Sequence, residues 1–240
     1  MIKKSDSVFC GCCIEAGGVA LNEITLSAIV FICVAAFVAG VFFVDAARKK
    51  RLKDSMRQYC AQNGFQLRFW DNGNEKGHTV QSEDWILRIC MPVQSGNAET
   101  GNPGTVRETE WLCDKKDERR PAFALYCSMA QCGFETLPEW VRTTAITQMK
   151  RAFPGAAEFS SVRTAFCERE MTCLAFENKA HSAQPLVERI RPVIGAWNGR
   201  VPICIECTPE RVRIIVRDCF LEEPEKIDAI IRLGKTLTTF

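Results

Sequence analysis

Hydrophobic positions are distributed in two ways along this chain. From Ile24 to Val44 they run without a single charge. At 1.5 Å per residue that run forms a helix of about 31 Å, the thickness of a bilayer's hydrocarbon core. Backbone in lipid must satisfy its own hydrogen bonds, so a span of this kind is helical. A core helix of such length would carry a polar stripe. A secretory leader has a shorter apolar region and a small-residue cleavage site, which Asp45-Ala46-Ala47-Arg48 matches poorly. The reading is a tail over 1–23, a transmembrane helix over 24–44, a basic juxtamembrane helix over 45–63, and a soluble domain over 64–240.

Beyond the span the apolar positions turn periodic. Leu52, Met56 and Tyr59 recur at helical spacing up to Gly64, a natural stop. Strand-like stretches follow at Phe65–Phe69, Trp85–Cys90, Thr109–Cys113 and Phe123–Cys127, separated by turn-rich Asp71–Asn74 and Ser95–Gly104. His78 falls in a polar, turn-rich stretch and reads as exposed, as does His181 ahead of a helix. Pro138 and Glu139 open a helix whose face is Val141, Ala145, Met149 and Phe153, closed by Pro154-Gly155. Val162–Phe166 and Met171–Phe176 are strands around the turn at Glu168–Glu170. Leu186, Ile190, Val193, Ile194 and Trp197 mark another helix face. Val201–Cys207 and Arg211–Arg217 form a hairpin through Thr208–Glu210. A last helix then carries Ile227, Ile230, Ile231 and Leu237. The fold class is α+β: a mainly antiparallel sheet with helices on one face, with a subdomain split near residue 133 as a further option.

Charge orients this scheme. Arg48, Lys49, Lys50, Arg51 and Lys53 crowd the exit of the span, whereas Lys3 and Lys4 before it are diluted by Asp6, Glu15 and Glu23. Cations stay on the cytoplasmic side, so the N-terminus is expected outside the cell membrane and residues 45–240 inside. The same cations form the expected membrane interface with the lipid bilayer. Fourteen cysteines are many for 240 residues. Those at 90, 127, 167, 173 and 204 sit in apolar runs, where a small buried thiol belongs, and read as reduced. Cys10, Cys12 and Cys13 read as part of an unstructured tail. The net charge of +2 gives no global field for nucleic acid.

Candidate chemistry is sparse. Cys204 and Cys207 make a C-x-x-C, a candidate redox pair, but residues three apart on a strand face opposite ways. Arg211, Arg213 and Arg217 share a strand face as a candidate anion patch, with Glu206 and Glu210 close enough to neutralise it. The sequence carries no G-x-S-x-G, H-E-x-x-H or phosphate loop, and it points to no catalytic residue, metal or cofactor.

Two resemblances complete the reading. Gly18 followed by Glu23 and an apolar run resembles a type IV prepilin, which would imply processing after the glycine and a domain outside the cytoplasm. Arg57 with Gly64-Phe65, Phe159-Ser160 before a strand, and the closing strand–strand–helix resemble a class of uncharacterised bacterial single-pass membrane proteins with a cytoplasmic α+β domain. That resemblance implies no reaction. The expected function is a membrane-tethered interaction or scaffold domain with a protein partner. The alternatives are a pilin-like extracytoplasmic subunit and a thiol-dependent enzyme or redox sensor.

Overall fold

The computed structural model describes residues 16–73, 75–92, 107–129, 134–152, 154–168, 171–179, 181–197, 201–217 and 219–239. Two compact units divide the chain, Met1–Lys53 and Asp54–Phe240. Helix α1, Ala16–Gln62, supplies what is described of the first. It is long and apolar enough to cross a membrane, and its large side chains between Leu26 and Val44 are exposed, Phe31, Phe37, Phe42 and Phe43 by more than 70% each. Leaving that much aromatic surface in water is unfavourable at about 25 cal/mol per Å².

The second unit is α+β. Its strands are β1 (Gln66–Asp71), β2 (Glu75–Gln81), β3 (Ile86–Pro92), β4 (Glu108–Cys113), β5 (Phe123–Met129), β6 (Ser161–Glu168), β7 (Met171–Glu177), β8 (Ile203–Cys207) and β9 (Val212–Arg217). Helices α2 (Glu139–Ala152), α3 (Gln184–Gly195) and α4 (Pro224–Thr238) join them. Among the described residues the strands form one antiparallel sheet of nine, in the order β1-β2-β3-β4-β9-β8-β5-β7-β6. The β8–β9 hairpin lies between β4 and β5, so the sheet runs unbroken across both sides of residue 133.

Register explains the layering. One row across the sheet reads Leu67, Val80, Leu87, Trp111, Ile214, Ile205, Leu125, Ala175. All of these belong to or pack on the main core, together with Leu186, Ile190 and Ile194 of α3 and Ile227, Ile230 and Ile231 of α4. The neighbouring row, on the opposite face, reads Arg68, Thr79, Arg88, Glu110, Ile215, Cys204, Tyr126, Leu174. It is polar at β1–β4 and turns apolar at β9. There a second cluster of Ala124, Leu174, Phe176, Cys204 and Ile215 takes Ile146 and Met149 of α2. Alternation therefore assigns each face its cover: α3 and α4 on one side, α2 on half of the other.

Two local features set the entry of the chain. Gly64 has φ +69°, with Gly64 N donating to Ala61 O and Phe65 N to Cys60 O, the paired bonds of a Schellman cap. Gly73 has φ +84° in the turn after β1, where the Asp71 and Asn72 carboxyl and amide oxygens accept from Gly73 N and Glu75 N. That Asn-Gly turn introduces β2, a strand the sequence reading leaves out. His78 lies in it and is 5% exposed rather than solvated. The correction has a physical cause: β2 contains Lys76, Gly77 and Gln81, and only His78 and Val80 carry its inward face. His181 is exposed and adopts φ +61° ahead of α3. The Ser95–Gly104 loop, Phe153 and Cys10, Cys12 and Cys13 lie outside the described residues.

Close packing of α4 gives a prediction. A Cβ on Gly234 would stand 2.4 Å from the Trp111 ring. Glycine to alanine within a helix ordinarily gains about 0.5–1 kcal/mol. Here Gly234→Ala is expected to destabilise by about 1–3 kcal/mol, because the indole is fully buried and has nowhere to retreat. Urea unfolding followed by tryptophan fluorescence reads the sign directly.

Candidate functional site

The end of α1 is built into the domain. Met56 and Cys60 are each 2% exposed and join the main core. Tyr59 packs its ring 6.1 Å from Phe65, Phe65 meets Trp85 edge-on at 5.0 Å, and Trp85 stacks on Trp111 at 6.1 Å. The Lys235 ammonium sits 5.2 Å from the Phe65 centroid. The Tyr59 hydroxyl donates to Asp228 Oδ1 of α4 at 3.0 Å, and burial followed by this bond raises its pKa above the ordinary phenol value. Residues 54–62 are thus held by an aromatic ladder and one charged hydrogen bond. Tyr59→Phe is expected to cost about 1.5–3 kcal/mol, the range for a bond to a charged acceptor; thermal melts of the full chain in detergent measure it.

The three arginines expected as an anion patch each have a distinct setting. Arg211 donates to Glu206 Oε1 from Nη2 at 2.6 Å and from Nε at 3.2 Å. Arg213 Nε donates to Glu110 Oε1 at 2.5 Å. Arg217 closes β9 opposite Glu108 and is half-buried. Glutamates therefore alternate with the arginines, and Glu206 is itself 5% exposed. A buried carboxylate beside a guanidinium fixes strand register well but leaves little free charge for an incoming anion. Farther along the same face, Arg88 lies 5.3 Å over the Trp70 ring and 3.5 Å from Glu75.

Cys204 and Cys207 are both buried free thiols of β8. Cys204 belongs to the α2-side cluster and Cys207 to the main core, so they face opposite sides of the sheet. Burial pushes Cys204 up to about 11 and Cys207 to about 12. Thiols in that range are protonated at neutral pH and make poor nucleophiles. The expectation of reduced thiols does not hold for the neighbouring strands. Cys127 and Cys173 are joined in a disulfide, and Cys167 is disulfide-bonded too. Register is the cause: Cys127 stands directly opposite Cys173, at a Cα–Cα distance of 4.0 Å. Sequence cannot reveal that opposition, since the two lie 46 residues apart.

Two polar groups escaped the sequence reading. His78 is enclosed by Phe69 and Phe220, with ring centroids 5.7 and 5.8 Å away. Its Nε2 finds no hydrogen-bond partner among the described residues, and burial lowers its pKa to about 4. Glu177, at the end of β7, is 0% exposed. It accepts from Arg163 Nε at 2.6 Å, His181 N at 3.0 Å, Ser182 Oγ at 3.2 Å and Ala183 N at 3.1 Å. Burial pushes its carboxyl up, but the Arg163 guanidinium and the Ala183 and His181 amides together hold it below the usual value. It thereby ties down the turn that leads into α3. The only sequence hint is an acid at the end of an otherwise apolar strand.

The cations expected at the membrane interface lie on α1. Arg48, Lys49, Lys50, Arg51 and Lys53 are exposed, and Lys49 reaches Asp45 at 2.6 Å. No group of three or more His, Cys, Asp or Glu residues suited to a metal ion occurs among the described residues. The chain matches no known protein-family model and no curated relative.

Proposed function

We propose that this chain is a membrane-tethered interaction module, anchored by α1 with its α+β domain on the cytoplasmic side. The observation that carries the reading is the exposed apolar stretch from Leu26 to Val44, followed at once by Arg48, Lys49, Lys50 and Arg51. The free thiols at Cys60, Cys90, Cys113, Cys204, Cys207 and Cys219 support a reducing compartment. The partner-facing surface of this reading is the polar half of the sheet, where Arg68 and Arg88 are exposed and Trp70 half-buried. An Arg and Trp pair of this kind has the chemistry of interface hot spots.

Orientation is tested by fusing reporters after Phe240. A reporter that matures only in the cytoplasm should be active, and one active only after export should be silent; the reverse pattern overturns the reading. For the interaction itself, a photo-crosslinking residue at Arg88 should yield one discrete protein adduct in cells, and one at Thr147 on α2 should yield none.

A second reading has a specific observation behind it. The Cys127–Cys173 disulfide belongs more naturally to an oxidising compartment, which favours an extracytoplasmic, pilin-like subunit. Mass spectrometry of the mature protein separates the two. A chain beginning at Val19 selects the second, and an unprocessed chain selects the first.

A further inference from the structure

We infer that residues 48–53 of α1 form a collar that selects anionic lipid headgroups around the anchor. The inference rests on the reading of α1 as a membrane span and goes beyond it, because anchoring needs only the apolar stretch. Helix α1 runs from Ala16 to Gln62 without interruption. The cations are therefore carried on the same regular helix as the apolar run. At 1.5 Å per residue, Arg48 stands about 6 Å beyond Val44 and Arg51 about 10 Å. Both distances fall within or near one Debye length, about 8 Å at physiological salt, of the hydrocarbon boundary.

Azimuth distinguishes a collar from a docking face. Successive residues turn about 100° around the helix axis. Arg48, Lys49, Lys50 and Arg51 therefore point at about 0°, 100°, 200° and 300°, and Lys53 falls between the second and third. A helix that lays one side on a partner clusters its charges on that side. This one distributes them around the whole circumference, which suits a ligand that surrounds it on every side, and the headgroup annulus of a bilayer does so. Arg48, Lys50 and Arg51 are exposed and make no ion pair with any described residue. The nearby acids are already engaged, Asp45 with Lys49 at 2.6 Å and Asp54 with Arg57 at 3.1 Å. The complementary chemistry is a phosphate carried by a lipid, such as phosphatidylglycerol. Free phosphate would lack the chelating effect of a shared surface.

The test uses the full chain in nanodiscs of four parts phosphatidylcholine to one part phosphatidylglycerol. After mild extraction, the lipids that remain bound are counted by mass spectrometry. Retained phosphatidylglycerol should exceed its share of the disc, and the excess should fall at least tenfold in the triple variant Arg48→Gln, Lys50→Gln, Arg51→Gln. The variant Arg48→Lys, Arg51→Lys should keep it, since charge and not guanidinium shape is the determinant. Inorganic phosphate at matched ionic strength should displace no more lipid than chloride does. Equal retention by wild type and triple variant, loss in the lysine variant, or selective displacement by phosphate overturns the collar. Failure of the chain to enter discs at all overturns the anchor instead. Nanodiscs expose both membrane faces, so a change in cellular topology cannot imitate the result.

Discussion

Replacing Glu177 with glutamine is expected to cost the domain about 3–5 kcal/mol, the range for removing one member of a buried ion pair. The carboxylate is fully enclosed and serves four donors, including the Ala183 amide at the start of α3. Glutamine keeps the volume but turns one acceptor into a donor, which then faces N–H or O–H groups. It also leaves Arg163, whose side chain is 21% exposed, without its counter-charge. The urea midpoint of the full chain in detergent should fall by more than about 1 M. Arg163→Met alone strands the carboxylate and should also be costly. The double variant should cost clearly less than the two singles summed, because each single leaves an orphan that the double removes. Strict additivity would mean that Glu177 acts only through the His181 and Ala183 amides and the Ser182 hydroxyl.

The same residues show where sequence reasoning reaches and where it stops. The apolar span, the cap at Gly64, the β8–β9 hairpin and the inward faces of α3 and α4 are encoded by neighbours in sequence, and all could be read there. What decides the centre of the sheet is pairing between distant strands. Nothing within Phe123–Met129 announces that it lies between β8 and β7, yet that placement brings Cys127 against Cys173 and Phe123 against Glu177. The candidate sites follow the same division. Alternation alone separates Cys204 from Cys207, as the strand geometry requires. The partners of Arg211 and Arg213 needed register, since Glu110 reaches Arg213 from a strand 103 residues away. The β2 strand was missed for a local reason: Gly77 and Lys76 break the apolar alternation at the point where the Trp70 ring crosses the strand. A Cβ at Gly77 would stand 2.9 Å from that ring and 2.0 Å from the Ile89 carbonyl. The glycine that hides the strand from a propensity reading is thus required by the packing.

His78 supplies the other large effect, and it appears as acid lability. In the unfolded chain an imidazole titrates near 6.5, whereas in the folded domain burial lowers His78 to about 4. Between those values the unfolded chain binds the proton and the folded one does not. Stability is therefore complete above about pH 6.5, declines as pH falls toward 4, and changes no further through this group below that. The full difference is on the order of 3 kcal/mol, a large fraction of a typical domain's stability. The groups ringing the imidazole are Phe69 and Phe220, and Ile89 lies opposite it on β3. None of these supplies a negative charge to stabilise the imidazolium. Glu177 also loses stability on acidification, because its carboxyl is held low, but that loss begins only near 4.5 and below. The window from pH 6.5 to 5 thus belongs to His78. His78→Phe should flatten stability against pH across that window while leaving the steeper fall below it, as read by urea midpoints at half-unit steps. A wild-type slope that survives in the variant would place the titrating group elsewhere, and a resonance assigned to His78 by its loss in the variant that titrates near 6.5 in the folded chain would contradict the burial itself.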